Sequence, residues 1–131
     1  MIEELYSDLI LELNKRPLNK KSMSESSAHF HDTNPFCGDE ITLYLKINNS
    51  GVIEDASFQG KGCALSQASA SLCTELARGK MIKDILNLNV DAVLNELGIP
   101  QVKKNAVRIK CVLLPLKALK MCAYNFLDGE N

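Results

Sequence analysis

Ile41-Thr42-Leu43-Tyr44-Leu45-Lys46-Ile47-Asn48-Asn49-Ser50-Gly51-Val52 alternates apolar and polar side chains as far as Asn48 and then breaks into turn chemistry. Successive side chains of a strand point to opposite faces, so this period of two predicts a half-buried strand. The Asn48-Asn49-Ser50-Gly51 turn predicts an antiparallel hairpin whose return strand is Val52 to Gln59. Upstream, Ala28 to Thr33 alternates weakly and predicts an edge strand with His29 and His31 on one face. The sheet expected from these segments is small and antiparallel.

Between the edge strand and the hairpin lies Asn34-Pro35-Phe36-Cys37-Gly38-Asp39. Pro35 fixes its own φ and pushes Asn34 toward extended backbone, while Gly38 is free to take a positive φ, so a tight loop is expected. Cys37 and Asp39 then face one point. A soft thiolate beside a hard carboxylate suits zinc or iron better than a disulfide, with Cys63 and Cys111 as candidate further ligands.

Helical periods lie outside the sheet. Ile2, Leu5, Tyr6, Leu9, Ile10 and Leu13 predict an amphipathic helix ending at Lys15-Arg16-Pro17. Leu18 to Ser27 has no period and reads as a mobile loop. Gly60-Lys61-Gly62 ends the return strand and delivers Cys63 to the start of a helix running to Arg78, with Gly79 as its stop. Its expected apolar face is Leu65, Ala68, Leu72 and Leu76, and its many Ala and Ser residues allow close approach to the sheet. Two short helices, Met81 to Leu88 and Val90 to Leu97 capped by Asn89, are expected next. Because proline belongs in a helix's first turn, Pro115 sets the start of the last helix near Cys111.

At 131 residues the chain is expected to form one domain, 1-131, with a core that needs no disulfide. Five cysteines is an odd number, and Glu3 and Glu4 open a sequence without a charged-then-apolar leader; a cytoplasmic protein with reduced thiols is expected. The apolar run Val112 to Leu116 is far shorter than the roughly 20 residues that cross a bilayer, so no membrane segment is expected. A net charge of -1, no Trp and few aromatics argue against nucleic acid as a partner.

Cys63 and Cys111 are both expected at helix N-termini, where thiolate is favoured. Cys73 and Cys122 lie ten and eleven residues further along the same helices, about 15 Å away, and read as ordinary buried thiols. Scattered core cysteines are the plainer alternative for Cys37, Cys63 and Cys111 as well, since their spacing is not that of paired C-x-x-C ligands. His29 and His31 read as solvated side chains rather than ligands. Lys103, Lys104, Arg108 and Lys110 read as a solvated basic face or, functionally, as thiolate stabilisers and a docking site for an acidic partner.

Three blocks carry a resemblance: Asn34-Pro35-Phe36-Cys37-Gly38-Asp39, Gly60-Lys61-Gly62-Cys63-Ala64-Leu65-Ser66-Gln67-Ala68-Ser69-Ala70-Ser71, and Arg108-Ile109-Lys110-Cys111. Together they resemble the signature blocks of the iron-sulfur cluster assembly family, which includes IscU, SufU and the N-terminal domain of NifU. The resemblance implies an α+β fold, a three-stranded antiparallel sheet with helices packed on it. It also implies a metal and sulfur site of Cys37, Asp39, Cys63 and Cys111, holding zinc or iron or a [2Fe-2S] cluster; Cys37 is the candidate persulfide acceptor because its loop carries the fewest helical restraints. Its implied partners are a cysteine desulfurase and apo iron-sulfur acceptor proteins.

Within that family, IscU-type scaffolds carry a His immediately before the third Cys, where this chain has Lys110. Arg-Ile-Lys-Cys and the Arg16-Pro17-Leu18-Asn19-Lys20 stretch are similar to SufU, a zinc-dependent sulfurtransferase that activates the desulfurase without holding a cluster. The interval between the second and third cysteines, lacking the usual SufU insertion, resembles IscU. Ile99-Pro100-Gln101-Val102-Lys103 loosely resembles the segment by which a specialised chaperone recognises IscU scaffolds. Expected functions are thus a scaffold or carrier rather than a classical enzyme, a sulfurtransferase, or a structural zinc domain.

Overall fold

β2 (Asp39–Ile47) is the middle strand of a three-stranded antiparallel sheet, flanked by β1 (Ala28–Asn34) and β3 (Ile53–Lys61). This computed structural model describes residues 8–35 and 38–129. Around the sheet run the helices α1 (Asp8–Lys15), α2 (Ala64–Ala77), α3 (Val90–Leu97) and α4 (Arg108–Leu127), with 3-10 turns at Ile82–Asn87 and Pro100–Lys104. The fold is α+β, as expected.

The period of two reads correctly on β2. Ile41, Leu43 and Leu45 are buried against the helices, while Thr42 and Tyr44 on the other face are half-buried. Phe58 pairs with Leu43 and is fully buried; side chains of this size contribute roughly 1.5–3 kcal/mol each by leaving water. The Asn48 side chain closes the hairpin by accepting from the backbone N–H groups of Ser50 and Val52. At the other end, β1 and β2 pair as far as Asn34 and Asp39, and Gly38 donates its N–H to the Asn34 carbonyl at 2.9 Å.

Helix α2 lies at the centre of the molecule, against α1, α4 and β3. Its burial does not follow hydropathy. Leu72 and Leu76 of the expected apolar face are only half-buried, whereas Ser66, Ser69, Ser71 and Thr74 are buried. Small side chains let neighbours approach from several sides, and each hydroxyl is satisfied: Ser69 donates to the Val112 carbonyl, Thr74 to Ala70 and Ser71, and Ser71 accepts from Leu18 N–H.

Two expectations are corrected, and a third holds in part. Residues 18 to 20 are no free loop: besides the Leu18 bond to Ser71, Asn19 holds Thr74, Glu75 and Arg78, and Lys20 reaches Gln67 at 2.9 Å. Asn19 also accepts the Phe58 N–H, so the segment runs alongside β3. In α1, Ile10 and Leu13 are buried as expected but Leu9 is 43% exposed; Ile2, Leu5 and Tyr6 lie outside the described residues. Finally, α4 starts at Arg108, so Pro115 sits inside it. The start is set by Asn105, whose side chain accepts the N–H groups of Val107 and Arg108. Pro115 withholds the N–H that would meet the Cys111 carbonyl, and the Ser69 hydroxyl supports the adjacent Val112 carbonyl at 2.8 Å.

The smaller elements follow their signals. Asn89 caps α3 by accepting from Ala92 N–H, and Gly98 ends it with φ +74. Met81 to Leu88 forms a 3-10 turn, Ile82–Asn87, rather than an α-helix. No helix among the described residues is long and apolar enough to cross a membrane.

Candidate functional site

Three elements converge on one point at the end of the sheet. Asp39 is the first residue of β2, on the same face as Ile41 and Leu43, and its side chain is turned inward under the helices. Cys63 is the N-cap of α2, reached directly from the end of β3. Cys111 is the fourth residue of α4, inside the first turn rather than at the N-terminus expected from Pro115. A carboxylate oxygen and the two Sγ atoms all lie within 4.8 Å of one another. Two thiolates on one tetrahedral zinc stand about 3.7 Å apart, so a single ion fits among these donors.

The backbone holds the carboxylate in place. Cys63 N–H donates to Asp39 Oδ1 at 3.2 Å, and Ser66 Oγ donates to the Cys63 carbonyl at 3.0 Å. Asp39 is 3% exposed, and its Oδ2 is buried with no hydrogen-bond partner among the described residues. An unpartnered buried carboxylate oxygen is costly and is the donor a cation would satisfy. Gly62 is required for the approach: a Cβ there would lie 2.8 Å from Asp39 Cγ and Oδ1 and 2.3 Å from Ser66 Oγ.

The thiols divide by environment. Cys63 is held down to about 6, first by the hydrogen bond from Cys111; burial opposes this, the Ser66 backbone N–H assists, the Asp39 charge opposes, and the Ser66 hydroxyl assists. No lysine is among the causes of the Cys63 depression, and Lys103 pairs with Asp91 at 2.8 Å. Cys73 and Cys122 are buried thiols pushed up to about 12 by desolvation, far from use as ligands.

Cys37, the fourth expected ligand, lies outside the described residues. The described residues on either side of Phe36-Cys37, Pro35 and Gly38, are exposed. His29 and His31 lie on the opposite, exposed face of β1, where His31 Nδ1 meets Thr42 Oγ1, and they do not join the cluster. Gly62 and Ser66 carry no sequence signal beyond their position, one residue before and three residues after the capping Cys63. Ile99 and Val102, in the segment resembling a chaperone-recognition motif, are fully buried.

Comparison with known proteins agrees with this architecture. The iron-sulfur cluster assembly scaffold protein IscU of Thermotoga maritima is 34% identical over 129 residues, covering 88% of this chain and 90% of its own. The zinc-dependent sulfurtransferase SufU of Bacillus subtilis is 35% identical over 133 residues, covering 91% and 89%. The crystal structure of the N-terminal part of a NifU-like protein from Brucella abortus superposes with a TM-score of 0.84 at 25% identity, covering 97% of each chain. A family model described as the NifU-like N terminal domain matches residues 5–130, and the chain belongs to that family.

Proposed function

We propose that this chain is an iron-sulfur cluster assembly protein, receiving persulfide sulfur from a cysteine desulfurase at a site of Cys37, Asp39, Cys63 and Cys111. It then assembles a [2Fe-2S] cluster or passes the sulfur on. The observation that carries this reading is the convergence of Asp39, Cys63 and Cys111 within 4.8 Å around an unpartnered buried carboxylate oxygen. Soft sulfur donors with one hard oxygen suit zinc or iron and release their load more readily than four thiolates. A zinc ion held by Asp39, Cys63 and Cys111 would supply Lewis-acid stabilisation of the thiolates.

Sulfur transfer needs a nucleophile that a partner can reach. Cys111 is 4% exposed and Cys63 is half-buried, whereas both described neighbours of the Phe36-Cys37 pair are exposed, which supports Cys37 as the acceptor. Its thiolate forms a bond to the outer sulfur of the donor persulfide as the donor's S–S bond breaks. The donor leaves as a thiolate and the proton stays with the transferred sulfur, with no net oxidation.

One residue favours a second reading, the zinc-dependent sulfurtransferase. Lys110 precedes Cys111, and a protonated lysine is no ligand, so the donor set is limited to one carboxylate and thiolates.

The deciding experiment incubates the anaerobic protein with a cysteine desulfurase, cysteine and iron, follows visible absorbance, and then adds an apo-ferredoxin. A chromophore that forms and passes to the ferredoxin is the result expected of a scaffold. Persulfide on Cys37 with faster cysteine turnover of the zinc-loaded protein and no chromophore identifies the sulfurtransferase. Neither chromophore nor persulfide would sink both readings and leave a structural zinc domain, whose fold would be lost on chelation.

A further inference from the structure

Helix α4 carries a second feature, separate from its thiol. Lys110, Leu113, Lys117, Lys120, Tyr124 and Leu127 follow one another at steps of three and four and form one stripe along the helix, about 25 Å long by helical rise. Leu113, Tyr124 and Leu127 on it are 37%, 52% and 47% exposed. Single exposed apolar residues are ordinary; three at helical spacing on one stripe are not.

The stripe is bordered by hollows. One of about 190 Å³ lies between α4 and the end of β1 and is lined by Asn34 and Pro35; another of about 400 Å³ lies between α4 and the start of α3 at Asn89 and Val90. Leu113 and Lys117 line both, so the two hollows flank these side chains. Asp32 is the single acid among these lining residues, and Lys117 Nζ already stands 3.5 Å from it. Cations therefore exceed acids along this face of a chain whose net charge is -1.

We infer that this face docks an acidic amphipathic helix of a protein partner, whose apolar side chains fill the two hollows while its carboxylates meet Lys117 and Lys120. Helix-in-groove recognition uses this combination of apolar pockets and flanking charge, and the charge also steers encounter. A bilayer surface needs no pockets, so the hollows favour a protein helix over an anionic membrane. Because the smaller hollow begins at Asn34 and Pro35, the docked partner stands beside the loop that carries Cys37. The inference goes beyond the sulfur chemistry and does not depend on which version of it operates.

The test uses a fluorescein-labelled 18-residue peptide of Leu and Glu at helical spacing, with a copy bearing Lys in place of Glu as control. Anisotropy titrations compare the wild-type protein with Lys117→Gln/Lys120→Glu and with Leu113→Ser/Tyr124→Ser. The Glu peptide is expected to bind the wild type, to weaken with added salt, and to lose at least tenfold in affinity for both double variants. Equal affinity for wild type and variants, or equal binding of the Lys copy, overturns the inference. Phosphatidylserine vesicles that bind the wild type where the peptide does not overturn it in favour of a membrane. Circular dichroism shows whether each variant is folded, and if one pair is not, the other carries the comparison. Zinc binding and persulfide loading from a small-molecule persulfide donor, which needs no docked protein, are measured in parallel and expected to be unchanged in the lysine variant, so failure of docking and failure of the proposed function are told apart.

Discussion

Cys63 and Asp39 are joined by a hydrogen bond in which the cysteine's backbone N–H donates to one carboxylate oxygen at 3.2 Å, while the other oxygen is buried without a partner among the described residues. The same carboxylate is thus anchored on one side and unsatisfied on the other. In metal-free protein, Asp39→Ala removes one hydrogen bond, worth about 1 kcal/mol, and relieves an unpartnered oxygen costing about 1–3 kcal/mol. Its urea midpoint is expected to equal or exceed that of the wild type. A [2Fe-2S] cluster assembled on the variant is expected to decay several-fold more slowly, since the hard ligand is gone. Equal decay rates would count against Asp39 as the labile ligand.

Gly62→Ala drives a methyl group into Asp39 and Ser66. Overpacking of this kind costs about 1–3 kcal/mol, and zinc affinity is expected to fall at least tenfold as the carboxylate is displaced. Adding Ser66→Ala removes the closer clash but not the one with Asp39, so the double variant should recover stability without recovering affinity. Chemical denaturation and competitive zinc titration separate the two effects.

Alkylation reports the thiols. In metal-free protein Cys63, held near 6, is largely thiolate at pH 7.5, whereas Cys73 and Cys122, near 12 and buried, are protonated. Iodoacetamide is expected to label Cys63 at once and the other two only in denaturant. Replacing Cys111 by Ala removes the largest cause of the depression, and the labelling midpoint should climb toward the ordinary value near 9. A depressed folded-state value also adds stability that is full above the unfolded value, near 9, and is lost as pH falls through about 6. Metal-free unfolding midpoints should therefore rise from pH 6 to pH 9, and less so in the Cys111→Ala variant.

Ser69→Ala leaves the Val112 carbonyl, beside the proline in α4, without its 2.8 Å hydroxyl donor. The expected cost is about 1–3 kcal/mol, read as a lower denaturation midpoint with zinc affinity within twofold of wild type. An unchanged midpoint would mean that another donor takes over.

The strands were legible because a half-buried sheet writes a period of two directly into Ile41 to Ile47, and α3 because Asn89 and Gly98 mark its ends. The start of α4 was not, because Asn105 overrides the positional preference of Pro115, and a proline inside a helix is tolerated where a distant serine supports the neighbouring carbonyl. Residues 18 to 20 carry no period because their long-range hydrogen-bond partners lie 39 to 59 residues away. The residue types of the Asp39, Cys63 and Cys111 cluster were legible in the sequence and in a resemblance. The approach of Asp39, Cys63 and Cys111 depends on tertiary packing, which no local pattern encodes.

The bond from Phe58 N–H to Asn19 has a consequence beyond tethering the chain. A bare strand edge is a template on which another molecule's strand can add, and β3 would otherwise present one directly beside a fully buried phenylalanine. Asn19 and Lys20 occupy that hydrogen-bonding position from within the same chain. The stretch that reads as a passive connector thereby covers this part of the edge, and deleting residues 1–20 is expected to raise the apparent mass in size-exclusion chromatography.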